Sequence, residues 1–335
     1  MRHAIRSQYQ RPDRLTDAAP WIRTAVALVQ MRTNGRRRSW TTPESIHLED
    51  QGTTRMNPAV HVARLQDGDI QYNDVGEGPT LVFLHGVLMS GSVWDPVIDL
   101  LRDDFRCIVP TLPLGSHRSP MSPTADLTLA GFGRLVNEFL DSIDVQAATL
   151  IGNDHGAVLA AAVDGSPRVE RLVISSCEAF ENYPPGLPGK NLRLIAALPG
   201  GLLVATQLLR IRAFRQLPVT MGWLAKRPLP DNVVDQWLEP SRRDRGVRRD
   251  LRRYAARARR RDMVSLCQRL STVRVPCLVI WTPEDRIQRP DHGRRLAGAI
   301  PGASLAEIPD SYTLVMRDQP AAFAEKVHGF AATWH

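Results

Sequence analysis

The stretch Ala148-Thr149-Leu150-Ile151-Gly152-Asn153-Asp154-His155-Gly156 constrains this chain more than any other. An apolar β-type run passes into Gly-x-Asp-x-Gly and then into an alanine-rich helical run. Small residues at both ends of such a pentapeptide let the backbone turn sharply from strand to helix and lift the middle side chain above the sheet edge. The turn therefore demands a sheet with a helix packed behind it. The lifted residue is an aspartate, and a carboxylate that attacks carbon leaves an alkyl ester on the protein. Asp154 is the candidate nucleophile.

From residue 59 onward the pattern alternates regularly. Residues 60–65 and 69–73 read as a hairpin, and 81–84, 105–109, 147–151, 172–175, 277–281 and 304–308 read as further short strands. Helical stretches at 91–102, 129–143, 155–164, 291–299 and 321–332 fill the gaps, the rhythm of a parallel sheet covered on both faces. About a hundred residues between the strands near Ser176 and Cys277 read as helix and loop. They form an insertion, expected to act as a cap, with prolines in its first half and a very basic helix over 242–261, read as a solvated face. The domain reading is an extension over 1–56, a core over 57–178 and 273–335, and a helical cap over 179–272.

Residues 1–55 lack sustained periodicity and are rich in Arg, Thr and Ser, so disorder is expected, with one pair of helical turns around Trp21. Either translation begins at or near Met56, or the arm is genuine; N-terminal sequencing of the natural protein separates the two. The net charge of +8 divides into +5 for residues 1–55, with ten Arg against five Asp and Glu, and +3 for the rest. The basic residues are 40 Arg against Lys190, Lys226 and Lys326, a bias that reads as base composition of the gene. No nucleic-acid reader motif accompanies them, so no nucleic-acid partner is expected.

No run of 18 apolar residues is present, so no spanning helix and no membrane partner are expected. Residues 21–31 are followed, not preceded, by Arg32 and Arg36 to Arg38, the wrong order for a secretory signal. Cys107, Cys177, Cys267 and Cys277 are widely spaced, with no CxxC pair, and read as buried thiols of a reducing compartment. A cytoplasmic location follows as the expectation, with neither metal nor cofactor.

Chain order adds specificity. The strand at 81–84 ends in His85-Gly86-Val87, the Asp154 turn follows about 70 residues later, and Trp281-Thr282-Pro283-Glu284-Asp285 ends a strand beyond the insertion. Over residues 58–332 this order resembles the α/β-hydrolase superfamily, in particular its aspartate-nucleophile branch, the haloalkane dehalogenases and epoxide hydrolases. The resemblance implies an α/β fold with a mostly parallel eight-stranded sheet, helices on both faces and a helical cap after strand 6. It implies a small organic substrate, an alkyl halide, epoxide or ester, with water as co-substrate. Asp154 would attack carbon, and the backbone N–H groups of Val87 and His155 would form the oxyanion hole. Asp285 stands where the family places the acid that orients the base, or is a turn aspartate. Glu178 matches the other position used for that acid. His85 would hold its loop.

The sequence departs from the family at the base. A Gly-His pair after the last strand is expected, but Ile308-Pro309-Asp310-Ser311-Tyr312-Thr313 puts Thr313 in the histidine's place. Threonine is no base at neutral pH, and a positioned base contributes about 10²–10⁴-fold. His155 and His117 are the candidate substitutes, the alternative being that both are polar contact residues. His292 and His328 fall on helices and are expected to be exposed. Tyr183 and Tyr254 are the tyrosines of the insertion, either acids or packing residues. Three functional readings stay open: a hydrolase working through an ester on Asp154, a catalytically impaired homologue that binds a small molecule, and, ranked last, a nucleic-acid or anionic-surface binder using the basic helix over 242–261.

Overall fold

The computed structural model describes residues 59–332, and the expected extension over 1–56 lies outside them. Eight strands, β1 (Val60–Leu65), β2 (Gly68–Val75), β3 (Thr80–Leu84), β4 (Arg106–Pro110), β5 (Ala148–Asp154), β6 (Val169–Cys177), β7 (Cys277–Trp281) and β8 (Ser304–Glu307), form one sheet in the order β1-β2-β4-β3-β5-β6-β7-β8. The pairs β1 with β2 and β2 with β4 are antiparallel, and every later pair is parallel. The mostly parallel eight-stranded α/β sheet is thus present.

Helices cover both faces because the inner strands are apolar on both. Along β3, Val82 and Leu84 enter one core with Phe132 and Val136 of α2 (Leu129–Ser142) and Val158 of α3 (Ala157–Asp164). Leu81 and Phe83 enter the other, with Val97 of α1 (Asp95–Leu101) and residues of two C-terminal helices, α11 (Val315–Asp318) and α12 (Pro320–Ala332). Side chains of a strand alternate between faces, so a strand covered on both sides must be apolar at consecutive positions. The helix α10 (Pro290–Ala299) packs Leu296 into the first core.

The chain runs from β3 outward to β4, then crosses back over β3 to β5. That reversal opens a crevice at the carboxyl ends of β3 and β5, the usual ligand position in open parallel sheets. His85-Gly86-Val87 and Asp154 both stand there.

Six helices separate β6 from β7: α4 (Gly186–Ala197), α5 (Gly201–Leu208), α6 (Arg212–Arg215), α7 (Asp231–Arg243), α8 (Arg245–Arg257) and α9 (Arg260–Gln268). The insertion is tied to the loops at the carboxyl edge. Ser116 Oγ donates to Trp237 O at 2.7 Å, Trp237 Nε1 to Ser92 Oγ at 2.8 Å, and Met121 N to Asp250 Oδ2 at 2.8 Å. The expected single basic helix over 242–261 is instead broken twice. At Asp244 the side chain accepts from Gly246 N at 2.6 Å and Val247 N at 3.2 Å, so a capping carboxylate starts a new helix. A second break separates Arg257 from Arg260.

His292 also corrects its expectation. It is fully buried on α10, with Nε2 3.4 Å from Glu181 Oε1 and its ring against Phe180. The helix face it occupies packs on the sheet. All four cysteines are free and buried. No helix among the described residues is long and apolar enough to cross a membrane.

The closest approach of α2 and α3 depends on Gly133, where an added Cβ would lie 2.8 Å from the carbonyl carbon of Ala160 and 2.9 Å from its Cβ. Gly133→Ala should destabilise by about 1–3 kcal/mol through overpacking, read as a lowered Tm. Gly298→Ala on α10, where a Cβ meets nothing within 4 Å, should leave Tm unchanged or raise it slightly.

Candidate active site

Asp154 ends β5 with φ of 62°, a left-handed conformation that costs a residue with a Cβ about 1–2 kcal/mol. The neighbours explain why it is held. His155 N donates to Asn153 O at 2.7 Å and closes the turn, while Glu178 N donates to Asp154 O at 2.8 Å and fixes it to β6. Gly152 is required by contact, since its Cβ would lie 2.4 Å from Val158 Cβ, whereas a Cβ on Gly156 would meet only the flexible end of Met263, 2.6 Å from Cε. Gly86 is required by the carboxylate itself, since its Cβ would lie 2.1 Å from Asp154 Oδ2.

The carboxylate is 6% exposed. Val87 N donates to Oδ2 at 3.2 Å, and Gln288 Nε2 donates to Oδ1 at 3.4 Å. Burial pushes Asp154 up to about 6, against the pull of these two donors. The N-terminus of α3 follows directly and favours negative charge there.

Asp285 lies beyond Gln288. Its Oδ1 accepts from Ile287 N at 2.8 Å, Gln288 N at 2.9 Å and Thr313 Oγ1 at 2.9 Å, and its Oδ2 accepts from Thr282 Oγ1 at 3.3 Å. Burial pushes it up to about 7 despite these four donors. The geometry is both that of a turn aspartate capping its own loop and that of an acid holding a partner hydroxyl. Asn153 Nδ2 donates to Thr313 O at 2.8 Å, which pins the Thr313 loop to the elbow. Asp154, Gln288, Asp285 and Thr313 thus form one hydrogen-bonded series.

Glu178 is buried, and its Oε2 accepts from Gly156 N at 3.2 Å. Burial first, then the nearby Asp154, holds its carboxyl well above the usual range. The Tyr254 hydroxyl pairs with Glu178 and with the Tyr183 hydroxyl, so both tyrosines are internal partners of this acid. Glu178 is therefore engaged with the elbow and the insertion, while Asp285 is the acid bonded to Thr313.

The histidines separate by their hydrogen bonds. His85 Nε2 accepts from Leu112 N at 2.8 Å, so Nδ1 carries the proton and donates to Gly86 O at 2.8 Å. Both nitrogens hold backbone, and burial pushes the ring down to about 4. His155 Nδ1 accepts from Ala157 N at 3.3 Å, which leaves the proton on Nε2, a buried atom with no partner. Its ring sits edge-on between Phe132 and Tyr254, and burial pushes it down to about 3. His117 Nδ1 accepts from Gly115 N at 3.4 Å, so Nε2 donates to Asp250 Oδ2 at 3.4 Å. Burial alone would raise Asp250, but the hydrogen bonds from His117, Met121 N and Arg249 outweigh it.

Sequence reasoning did not find Gln288 or Asp250. Gln288 is three residues past Asp285, the spacing at which a turn aspartate captures a backbone N–H, and that was its available signal. Asp250 lies 133 residues from His117 and left none. Two clefts, of about 600 and 200 Å³, lie in the helical insertion, and neither is lined by Asp154, Asp285 or Thr313. Among the described residues, no group of three or more His, Cys, Asp or Glu is arranged to hold a metal ion.

Known proteins agree with this architecture. Haloalkane dehalogenase 2 of Mycobacterium tuberculosis is 24% identical over 267 residues, covering 78% of this chain and 90% of that protein. The uncharacterized protein Rv2715 of the same organism is 26% identical over 275 residues, covering 77% and 76%. The crystal structure of DBJA, mutant dbja delta, superposes with a TM-score of 0.65 at 17% identity, over 82% of this chain and 98% of that one. The family model for the alpha/beta hydrolase family matches residues 81–326, from β3 through most of α12, and this chain belongs to that family.

Proposed function

We propose that the protein is a hydrolase of small organic electrophiles, an alkyl halide, epoxide or ester, that works through a covalent ester on Asp154 and turns over slowly. The carrying observation is the arrangement of two carboxylates: Asp154 on its elbow, with one oxygen held by Val87 N at 3.2 Å, and Asp285 bonded to the Thr313 hydroxyl at 2.9 Å. The similarity to a haloalkane dehalogenase supports the carboxylate chemistry.

The oxygen held by Val87 N–H becomes the ester carbonyl, so Oδ1 is the attacking atom. It displaces halide, or the carboxylate of an ester, from the alkyl carbon, or opens an epoxide to an alkoxide that stays on the bound alkyl group and takes up a proton; Gln288, which donates to Oδ1 in the free protein, must give way. The Nε2–H of His155, buried and without a partner, is a donor for the departing group. In the second half, water adds to the Asp154 ester carbonyl and the oxyanion rests on Val87 N–H. His155 N–H is held by Asn153 O at 2.7 Å and joins only if that turn relaxes.

Water must lose a proton in this step. With Nδ1 accepting and Nε2 protonated, neither His155 nor His117 presents a free acceptor nitrogen. The Thr313 hydroxyl instead passes the proton to Asp285, whose elevated pKa of about 7 makes it a usable acceptor near neutrality. A relay of this kind replaces a directly placed base, so deacylation should be slower than with a positioned base by up to about 10²–10⁴-fold and should limit turnover. A binding protein without turnover is the second reading, favoured if Asp154→Ala keeps full ligand affinity and no adduct forms.

An alkyl halide should release about one equivalent of halide in a burst followed by a slow steady state, and an epoxide should be consumed by about one equivalent before its diol product appears slowly. Intact and peptide mass spectra during the burst should show an adduct on Asp154; no adduct with any class would overturn the reading. The burst rate should fall below pH 6, as Asp154 becomes protonated. Thr313→Val should slow the steady state while leaving the burst, and Thr313→His should accelerate it by one or more orders of magnitude.

A stability consequence follows from the raised pKa. The folded state binds a proton on Asp154 more tightly than the unfolded chain, so this group's stabilisation is full at low pH and is lost as pH rises through about 6. Asp154→Asn should therefore raise Tm at pH 8, by up to about 3 kcal/mol in stability, and the difference should vanish toward pH 4.

A further inference from the structure

The charge of residues 56–335 is polarised. The insertion, residues 186–268, holds eighteen Arg and Lys against six Asp and Glu, a net of +12. The +3 of residues 56–335 therefore leaves −9 for the sheet-bearing part. The same insertion carries an apolar surface. Among the described residues, eight of the eleven large exposed hydrophobic residues fall within 187–219. On α4, Leu187 and Leu194 stand seven residues apart on one exposed face, Leu198 follows exposed at its C-cap, and Leu203 and Val204 are exposed on α5.

The apolar face and the cations adjoin. α4 packs across α8, Arg252 Nη2 donates to Leu198 O at 3.1 Å, and Arg193 Nη1 donates to Ala258 O at 3.2 Å. The cleft of about 600 Å³ is lined by Leu202 and Leu203 together with Arg245, Arg248, Arg249 and Arg252. Arg193, Arg248 and Arg252 bond only backbone carbonyls, so their charges are not neutralised. The Lys190, Arg210 and Arg245 side chains, on α4, just past α5 and on α8, are exposed with neither hydrogen bond nor ion pair.

We infer that this face of the insertion docks on an anionic lipid surface, with the leucines entering the acyl boundary and the arginines reaching lipid phosphates. Exposed leucines beside unpaired arginines are the composition of an interfacial element, which needs no spanning helix. The expectation of no membrane partner rested on the missing span alone. A second copy meeting it through the same face would bring +12 against +12, one meeting it through its acidic sheet-bearing part would leave the leucines against a charged surface, and a nucleic acid would leave them unburied. The inference does not rest on the chemistry of Asp154.

The test is co-sedimentation of the full chain with phosphatidylcholine vesicles, with and without phosphatidylglycerol. Binding should require phosphatidylglycerol and weaken as salt rises. Leu194→Ser with Leu203→Ser should weaken partitioning by at least about tenfold. Lys190→Gln, Arg210→Gln and Arg245→Gln together should weaken it by on the order of a hundredfold. These exposed side chains carry no internal bonds, so an unchanged Tm should accompany both losses. No binding to phosphatidylglycerol vesicles, or binding equal in wild type and both variants, overturns the inference. So does self-association abolished by the leucine substitutions, or RNA binding that outcompetes vesicles and ignores them.

Discussion

A carboxylate that is almost entirely removed from water must be met by donors, and the carboxyl edge of this sheet is arranged around that requirement. Asp154 is raised on a left-handed residue at the end of a fully buried strand. It is met by one backbone N–H from the loop after β3 and one side-chain amide from the loop after β7. Gly86 and Gly152 are small because a Cβ at each would overlap the carboxylate or the packing that supports it. Two donors do not offset full desolvation, so the group stays less acidic than a free aspartate.

A second buried carboxylate is coupled to the first through Gln288, whose backbone serves Asp285 and whose side chain serves Asp154. The Thr313 loop closes the series, with its hydroxyl on Asp285 and its carbonyl on Asn153. A threonine donor neutralises part of the charge on Asp285 but brings no titrating nitrogen of its own. The chemistry open to the site therefore depends on carboxylates and a hydroxyl, with the nearby rings of His85 and His155 kept uncharged by burial.

Much of this was legible in the residues because it is local. The apolar runs of β3, β5 and β7 announce strands buried on two faces, and the elbow announces itself by glycine spacing. What escaped was set by side chains meeting across the fold. The capping carboxylate of Asp244 broke a helix that composition alone made continuous. His292 looked solvent-facing on a polar helix, yet the packing of α10 on the sheet buried it against Phe180. The charge of the body looked balanced because positive and negative halves cancel in a sum.

By itself the sequence determined the parallel sheet, the insertion and the placing of an aspartate at a strand-to-helix turn, since backbone periodicity and glycine sterics act over a few residues. Only the tertiary structure decided which acid meets Thr313, that Gln288 joins the two carboxylates, and that His117 is held by Asp250. Hydrogen bonds between residues 28 to 134 positions apart depend on how strands and loops converge at one edge. That convergence is a property of the packed sheet and its insertion, and no short-range pattern encodes it.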